Sequence, residues 1–397
     1  MEKQVICYIQ AFDCEKTVAA AMQSILDQTY ENWLCFVLSN GNKNTVEAPN
    51  WSFDIIKNFA ARDKRFVVLN KKNNSLSMYV PMLYHLARSF PDSYICSLDA
   101  DDVYQKDFFA RAVALAEEKH LDIVACGTEI VRKKNVEAEE EVLLSKRMVE
   151  KDLIIRGEDF TRQFITYKPF FNEIWGKLYR TDLFDQRHNE SYVEKHFNGR
   201  FLPDTLFTVD NLARSTAIGI LSGTSHKFYQ FEQRNGSNAT VMANEDAANQ
   251  RSIKNALNGK VFSVYATYKT VMQFLQSHGR IDAELYEYMQ AVLFGWFGDF
   301  YARTVLLTTS EAKLAGHVER LVFHPKFDKL MSYPGSGKYN NLRDFKDRKA
   351  FCTNLRHMLV GQKIIKNRAG RFPCSPRTRK KIDEIITKLD CTIRAMP

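Results

Sequence analysis

The sequence predicts an α/β fold in which a parallel sheet is covered by helices on both faces. Three observations support this class. The first 130 residues alternate short apolar runs with segments of helical periodicity. The runs are continuously apolar, as strands that are buried on both faces are. One run ends in three carboxylates, which would lie at the sheet edge where α/β domains bind their ligands.

Each predicted strand is a short apolar run, and the residues between the runs predict helices. The first helix follows from apolar side chains at Val18, Met22, Ile25 and Leu26, a spacing that places them on one buried face. The predicted strands are residues 5–9, 33–38, 66–69, 94–98 and 121–126, and the later helices are residues 53–63, 78–90 and 107–119. Parallel strands need such crossover helices between them, so the carboxyl ends of the strands should share one edge.

The regular alternation ends near residue 128. The acidic run at residues 137–141 predicts a solvated loop or the start of a helix, and residues 170–231 mix short strands, aromatic residues and turns. From about residue 243 the pattern becomes helical. We therefore expect an α/β domain over residues 1–240 and a mainly α-helical domain over residues 241–397.

Within the helical part, the sequence indicates three long elements. Two candidates span residues 252–277 and 282–307. The closing helix is predicted to begin with Ser375 as the N-cap and Pro376 at the first helical position, since proline there loses no hydrogen bond.

Charge is distributed unevenly along the 397 residues, whose net charge is +9. Residues 321–397 hold 18 Lys and Arg against 6 Asp and Glu, and residues 356–381 hold nine basic residues and no acidic one. Such a segment suits an anionic partner, which would be a membrane surface, a nucleic acid or a polyanionic substrate. The alternative is a helical face that is simply solvated.

The composition predicts an ordinary globular protein of the cytoplasm. Hydrophobic residues make up 45% and charged residues 26%, which excludes a disordered chain. The most apolar region, residues 289–307, is interrupted by Gln290, Asp299 and Arg303, so no stretch predicts a membrane span. The N-terminus lacks the pattern of an export signal. The eight cysteines form no CxxC pair, and we expect reduced cysteines without a structural zinc site.

Three carboxylates follow the predicted strand at residues 94–98. In an extended chain Asp99 and Asp101 point the same way, and Asp102 follows directly. Clustered carboxylates at the edge of a nucleotide-binding sheet suit Mg²⁺ or Mn²⁺ bridging a diphosphate. The competing interpretation is a helix N-cap followed by acidic residues of a first turn.

Several segments, in order, resemble the inverting glycosyltransferases of family 2, which have the GT-A fold. The resemblance covers about residues 5–240. The motifs that carry it are residues 9–13 at the first strand end, S-I-L-D-Q-T-Y-E-N-W at 24–33, L-D-A-D-D at 98–102, W-G-K-L-Y-R at 175–180, F-L-P-D-T-L-F at 201–207, and F-Y with Q-R-N-G-S at 228–237.

The resemblance implies roles for individual residues. Asp204 is implied as the catalytic base, and Asp101, supported by Asp99 and Asp102, as the ligand of Mn²⁺ or Mg²⁺. The implied contacts of the nucleotide sugar are Gln10, Ala11, Phe12, Ser39, Asn40, Asn73, Asp99, Ala100 and Asp101. The implied contacts of the acceptor or the phosphates are Trp175, Lys177 and Arg234.

Two departures from the family pattern bear on the implied roles of Ser39, Asn40 and Asp204. The family usually has D-D-G-S after its second strand, where this chain has Ser39, Asn40, Gly41 and Asn42. The glutamate that precedes the family's catalytic aspartate is replaced by Pro203. The first departure puts uridine recognition in question, and the second leaves Asp204 as the one acid of that pair.

The resemblance implies a metal-dependent, inverting enzyme of the hexosyltransferase type. It would move a sugar from a nucleotide-diphosphate sugar, with uridine the expected nucleoside, to a hydroxyl of a glycan or lipid-linked acceptor, in surface polysaccharide or glycan synthesis. An anionic membrane surface is a further expected partner, nucleic acid is not, and a homo-oligomer is left open. One alternative is a catalytically impaired GT-A-like module that binds membrane or polyanion through its basic C-terminus. Another is a nucleotidyltransferase, which would need a glycine-rich loop that residues 10–16 lack.

Overall fold

A computed structural model describes most of the N-terminal 231 residues and parts of the rest. The described residues are 2–12, 14–40, 51–70, 79–185, 187–197, 202–231, 263–289 and 375–394, with isolated positions at 292, 319, 322–323, 352–353, 356–357 and 359–360. The strands are β1 (Val5–Ala11), β2 (Trp33–Ser39), β3 (Phe66–Asn70), β4 (Tyr94–Asp99), β5 (Val103–Tyr104), β6 (Ile123–Lys133), β7 (Glu141–Arg147), β8 (Leu153–Arg156), β9 (Lys177–Arg180) and β10 (Ala217–Phe231). The helices are α1 (Val18–Leu26), α2 (Trp51–Arg62), α3 (Tyr79–Ser89), α4 (Phe108–Lys119), α5 (Phe160–Tyr167), α6 (Glu190–Phe197), α7 (Pro203–Arg214), α8 (Ser263–Ser277) and α9 (Pro376–Arg394).

The strands form one sheet of mixed direction, in the order β3-β2-β1-β4-β9-β6-β10-β5. Strands β3, β2, β1 and β4 are parallel, and the α/β class predicted from the apolar runs is confirmed. The expectation of a purely parallel sheet is wrong beyond β4, because the short strand β9 pairs antiparallel with both β4 and β6. Strand β7 pairs with β6, and β8 pairs with β10.

The core of the α/β part lies between the parallel strands and the helices that pack on them. Helix α1 buries Val18, Met22 and Ile25, which belong to the apolar face predicted from their spacing. These side chains join Cys7 of β1 and Phe108 of α4 in one buried cluster. Full burial of a side chain of this size stabilises the fold by roughly 1.5–3 kcal/mol. The helix boundaries therefore follow the predictions to within about two residues, as burial of one face requires.

Two buried aspartates, Asp122 and Asp210, hold neighbouring strands and helices together through hydrogen bonds and ion pairs. The carboxylate of Asp122, 3% exposed, accepts hydrogen bonds from the Thr216 backbone N–H at 2.6 Å and its hydroxyl at 2.8 Å, and pairs with Arg180 at 2.9 Å. These contacts join the starts of β6 and β10 to the end of β9. On α7, the carboxylate of Asp210 accepts hydrogen bonds from Tyr84, Tyr192 and Arg214.

The acidic run at residues 137–141 belongs to a loop that leads into a strand. Residues 134–140 have no helical structure, and Glu141 begins β7. The loop interpretation is therefore correct and the helix interpretation wrong. The backbone pairs with β6 here, a long-range contact that local charge does not indicate.

Most of the described residues of the C-terminal part are helical, as predicted. Helix α8 lies inside the predicted 252–277 element, whose first eleven residues fall outside the described part, and residues 283–289 are helical. Helix α9 begins as expected, because the Ser375 hydroxyl accepts the Thr378 backbone N–H at 3.1 Å. No described helix has the length and apolar character that crossing a membrane requires.

The chain divides into two compact units. The first comprises residues 1–243 with 273–280, and the second comprises residues 244–272 with 281–397. The division into functional domains at residue 240 stays a prediction.

Candidate active site

The carboxyl ends of β1, β2 and β4 meet at one edge of the sheet. In the strand register, Ala11 of β1 lies opposite Ser39 of β2, and Gln10 of β1 lies opposite Asp99 of β4. The backbone N–H of Asn40 donates to the carbonyl of Ala11 at 2.8 Å, which holds the two strand ends together. Gln10, Ala11, Ser39 and Asn40 are buried. Four residues predicted to contact a nucleotide sugar therefore lie together at this edge of the sheet, and their contact with it stays a prediction.

The turn after β4 carries the three carboxylates. Its backbone is closed by a hydrogen bond of 3.1 Å from the N–H of Asp102 to the carbonyl of Asp99. One carboxylate oxygen from each of Asp99, Asp101 and Asp102 lies within 4.8 Å of the others. Ala100 is buried in the same turn, and Phe12 is half-buried after β1. Three hard oxygen donors this close fit a divalent cation such as Mg²⁺ or Mn²⁺.

Electrostatic repulsion within the turn also favours a cation. Burial and then the negative charges of Asp101 and Asp204 raise the pKa of Asp99 to about 8. Burial, Asp101 and Asp99 likewise hold the pKa of Asp102 well above its ordinary value. Crowded carboxylates either take up protons or bind a positive ion, since like charges in one site destabilise the ionised state. Both the oxygen donors of the turn and its crowded negative charge therefore fit a divalent cation.

Asp102 also has a structural role. It is fully buried, and its Oδ1 accepts the backbone N–H of Tyr229 on β10 at 3.0 Å. Its Oδ2 lies 3.3 Å from Nε2 of His226, a histidine whose pKa burial lowers well below its ordinary value. Asp102 therefore joins the turn to β10, while Asp99 and Asp101 remain half-buried.

Asp204 lies in the first turn of α7. Leu202, with φ of 53°, turns the chain into the helix, and Pro203 occupies its first position. Burial, then the negative charge of Glu173, raises the pKa of Asp204 to about 6, and the Lys177 ammonium opposes that rise. The charge of Asp204 in turn raises the pKa of Asp99. The predicted base and the carboxylate turn therefore act on each other electrostatically.

Lys177 is a buried cation. Its side chain is 1% exposed, and its Nζ donates to the carbonyls of Glu173 at 2.6 Å and Trp175 at 3.2 Å. Burial lowers the pKa of Lys177 to about 7. The negative charges of Glu173 and Asp204 act in the opposite direction and raise it. Its observed partners are thus backbone carbonyls, and its predicted contact with acceptor or phosphate stays a prediction.

Trp175 is largely packed inside the protein. Its ring, 8% exposed, stacks on His226 with 4.4 Å between ring centres, and Phe228 lies at 5.8 Å. The Arg147 guanidinium lies 5.3 Å from the same ring. Its predicted contact with the acceptor stays a prediction. Asn73 and Arg234, the remaining predicted site residues, lie outside the described residues.

Sequence reasoning missed two side chains next to the carboxylates. The Tyr79 hydroxyl donates to Oδ1 of Asp99 at 3.1 Å, from the first residue of α3. The side chain of Glu173 is 31% exposed, and its Oε2 pairs with Nη1 of Arg147 at 3.0 Å. Glu173 precedes the W-G-K-L-Y-R segment by two positions, which could have singled it out. Nothing local marks Tyr79, because its partner is twenty residues away.

Comparison with known proteins identifies the family of the N-terminal part of the chain. Residues 6–187 match the model of the glycosyl transferase family 2. This part of the chain is a family 2 glycosyltransferase domain, and the predicted family and GT-A fold class are confirmed.

Two curated relatives come from Bacillus subtilis (strain 168). The uncharacterized glycosyltransferase EpsJ is 27% identical over 219 residues, which are 54% of this chain and 57% of EpsJ. The putative glycosyltransferase EpsE is 28% identical over 119 residues, 29% of this chain and 40% of EpsE. The matches thus span about half the length of these relatives.

Solved structures resemble the chain more distantly. TarS residues 1–349 of S. aureus, in complex with UDP-GlcNAc, is 12% identical, with a TM-score of 0.46, over 99% of this chain and 90% of that one. The mannosyltransferase PcManGT from Pyrobaculum calidifontis, in complex with GDP-Man and Mn²⁺, is 10% identical, with a TM-score of 0.35, over 80% and 87%. At TM-scores below 0.5 these likenesses carry no weight for the site.

If the turn holds a divalent ion, removal of one half-buried carboxylate should weaken its binding. We expect Asp101→Asn to lower the affinity for Mn²⁺, measured calorimetrically in the presence of UDP, by about tenfold or more. Asp107→Asn is the matched control, since that half-buried aspartate lies nearby in the chain and outside the cluster. Equal Mn²⁺ affinity in both variants would contradict the assignment.

Proposed function

We propose that the protein is a metal-dependent, inverting glycosyltransferase that uses a nucleotide-diphosphate sugar and an acceptor hydroxyl. The observation that carries the proposal is the cluster of Asp99, Asp101 and Asp102 at the carboxyl end of β4, where one carboxylate oxygen from each lies within 4.8 Å of the others. Asp204 is close enough for its charge to raise the pKa of Asp99. Family membership supports the reaction class. A hexose donor, with uridine as its nucleoside, is the form that the family resemblance favours.

The donor would lie along the strand ends. Ser39 and Asn40 stand at the end of β2, where hydroxyl and amide groups can both donate and accept hydrogen bonds. We propose that they contact the nucleoside in place of the usual acids. Asp99 and Asp101, with Asp102, would hold the divalent ion, whose charge supports departure of the diphosphate.

Asp204 would take the proton of the acceptor hydroxyl. A carboxylate with a pKa of about 6 is largely ionised at neutral pH, yet basic enough to accept a proton as the new bond forms. The hydroxyl oxygen attacks the anomeric carbon as the bond to the diphosphate breaks. A single displacement inverts configuration, so an α-linked donor would give a β-linked product.

Glu173 is a candidate for the acceptor side. Its partly exposed carboxylate is held by Arg147, and its charge acts on Asp204. We propose that it binds an acceptor hydroxyl beside Asp204. In this region Pro203 stands where the family has a glutamate. Lys177 would act indirectly, by keeping Asp204 ionised.

The proton-accepting role of Asp204 can be tested by an isosteric change. Asp204→Asn should slow nucleotide-sugar hydrolysis with Mn²⁺ by about 10²–10⁴-fold, because an amide cannot accept the proton. Donor binding, measured calorimetrically, should change little. Asp182→Asn, at an exposed aspartate of the same domain, is the control. If Asp204→Asn hydrolyses the nucleotide sugar near the wild-type rate, Asp204 is not the base and has only a structural role in the first turn of α7. If the wild-type chain itself is inactive, the result favours the catalytically impaired GT-A-like module.

The pH dependence of hydrolysis should identify the groups that set the pKa of Asp204. The ionised form of Asp204 is the active one, so hydrolysis should fall as the pH drops through about 6. Glu173→Gln removes a negative neighbour, which lowers the pKa of Asp204 and should move the fall to lower pH. Lys177→Met removes a positive neighbour and should move it to higher pH. Shifts in the same direction in both variants would contradict this arrangement.

The basic C-terminal segment supports a second proposal, that the enzyme reaches a lipid-linked acceptor at an anionic membrane surface. Within the described residues, Arg356 pairs with Asp390 at 2.5 Å, and the guanidinium of Arg377 lies 4.7 Å from the Phe323 ring. These contacts support the structural alternative for those two side chains. The proposal therefore depends on the segment as a whole, where each basic residue near an anionic surface contributes roughly 1 kcal/mol.

Sedimentation with phosphatidylglycerol vesicles tests the membrane proposal. We expect binding at low salt that is lost at high salt and lost on neutralising Lys363, Lys366, Arg371, Arg377, Lys380 and Lys381. The matched control neutralises six exposed lysines of the first compact unit, which are Lys57, Lys64, Lys106, Lys119, Lys134 and Lys151. Equal loss in both variants would show a net-charge effect and contradict a localised membrane site.

A further inference from the structure

The hydroxyl of Tyr79 reaches the carboxylate turn from helix α3. It donates a hydrogen bond of 3.1 Å to Oδ1 of Asp99. A tyrosine hydroxyl keeps its proton at neutral pH and an ionised carboxylate can only accept, so the direction of this bond is fixed. The bond joins the first residue of α3 to the last residue of β4. Asp99 is therefore held from α3, as Asp102 is held from β10.

The ring of Tyr79 packs on the first strand of the sheet. Its centre lies 5.6 Å from the ring centre of Tyr8, a fully buried residue of β1. The hydroxyl of Tyr8 donates to Oε1 of Gln10 at 3.2 Å, and Gln10 lies opposite Asp99 in the strand register. The two tyrosines thus give their hydrogen bonds to two polar side chains that end neighbouring strands. Ring packing and hydrogen bonding together fix the position of Tyr79.

Helix α3 is itself anchored in the core five residues further on. Tyr84 is fully buried, and its hydroxyl donates to the carboxylate of Asp210 on α7. The Tyr84 ring also packs edge-on against Phe207 of α7, with 5.2 Å between ring centres. The helix that carries Tyr79 is therefore held by the same helix that carries Asp204. A donor on such an element keeps its place when a ligand binds nearby.

The carboxylate of Asp99 needs an external contact to fix its orientation. The last torsion of an aspartate side chain has only a broad preference, so it does not decide which way the two oxygens face. Asp101 and Asp204 repel the ionised form of Asp99, which favours rotation of its oxygens away from them. A charge-assisted hydrogen bond from a fixed donor opposes that rotation. Because the carboxylate is planar, holding Oδ1 also restricts the position of Oδ2.

We propose that Tyr79 is a positioning residue of the metal site, whose hydroxyl holds the Asp99 carboxylate in the orientation that binds the divalent ion. The inference rests on the proposed function, because it requires Asp99 to be a ligand of that ion. Hydrogen bonds from outer residues orient metal ligands in proteins, and loss of one lowers metal affinity about 10–100-fold.

Removal of the Tyr79 hydroxyl tests this role. Tyr79→Phe keeps the ring on Tyr8 and should lower the affinity for Mn²⁺, measured in the presence of UDP, by about tenfold or more. The electron paramagnetic resonance signal of free Mn²⁺ follows weak binding directly. Tyr94→Phe is the matched control, because the Tyr94 hydroxyl also donates to a carboxylate, Oε1 of Glu117 at 2.5 Å, from the opposite end of β4. The control should bind Mn²⁺ as the wild type does.

A second background separates positioning from direct contact with the ion or with UDP. Asp99→Ala removes the group through which the hydroxyl is proposed to act. In that background Tyr79→Phe should change the Mn²⁺ affinity by less than about twofold, because the two changes then affect one interaction. If Tyr79→Phe costs the same tenfold in both backgrounds, the hydroxyl acts independently of Asp99 and the positioning role is wrong.

The outcomes distinguish this inference from the proposed function. A wild-type chain that does not bind Mn²⁺ contradicts both the metal site and the role of Tyr79. A wild-type chain that binds Mn²⁺ no more tightly than Tyr79→Phe contradicts the role of Tyr79 alone. Thermal unfolding without metal completes the test, and the midpoint of Tyr79→Phe should fall no further than that of Tyr94→Phe. A much larger fall would make the weaker binding a general loss of structure and would overturn the inference.

Discussion

Repulsion among carboxylates at one edge of the sheet is the constraint on which the arrangement of the site depends. Asp99, Asp101 and Asp102 lie within 4.8 Å of one another, and Asp204 adds its charge from α7. Isolated buried charges are costly, so such a cluster persists only with compensation. The compensation comes from hydrogen bonds to the carboxylates, from Lys177 near Asp204, and, we propose, from a bound divalent ion.

The structural elements around the cluster supply the first two kinds of compensation. Tyr79 donates to Asp99, and the Tyr229 backbone donates to Asp102. Lys177 is buried next to Glu173 and opposes the rise in the pKa of Asp204. The antiparallel strand β9, which interrupts the parallel order, is the element that carries Lys177 into the core. The same strand therefore breaks the parallel order of the sheet and positions Lys177.

The departures from the family pattern concern substrate contacts and leave the proposed chemistry in place. Ser39 and Asn40 occupy the strand end where the family has acids, and both are buried there. Pro203 replaces a glutamate, yet it starts α7 without loss of a hydrogen bond and so keeps Asp204 in the first helical turn. Glu173 brings a different carboxylate to the same region, from a segment far away along the chain.

Local patterns determined the strands β1 to β4, the helices between them and the carboxylate turn, because burial of apolar faces acts at spacings that a sequence displays directly. The capping of α9 by Ser375 was predictable for the same reason. Only the tertiary structure decided that β9 runs antiparallel, that Glu141 begins a strand, and that Tyr79 and Glu173 join the site. Those outcomes depend on backbone pairing and charge interactions between residues distant in sequence, and no local spacing encodes them.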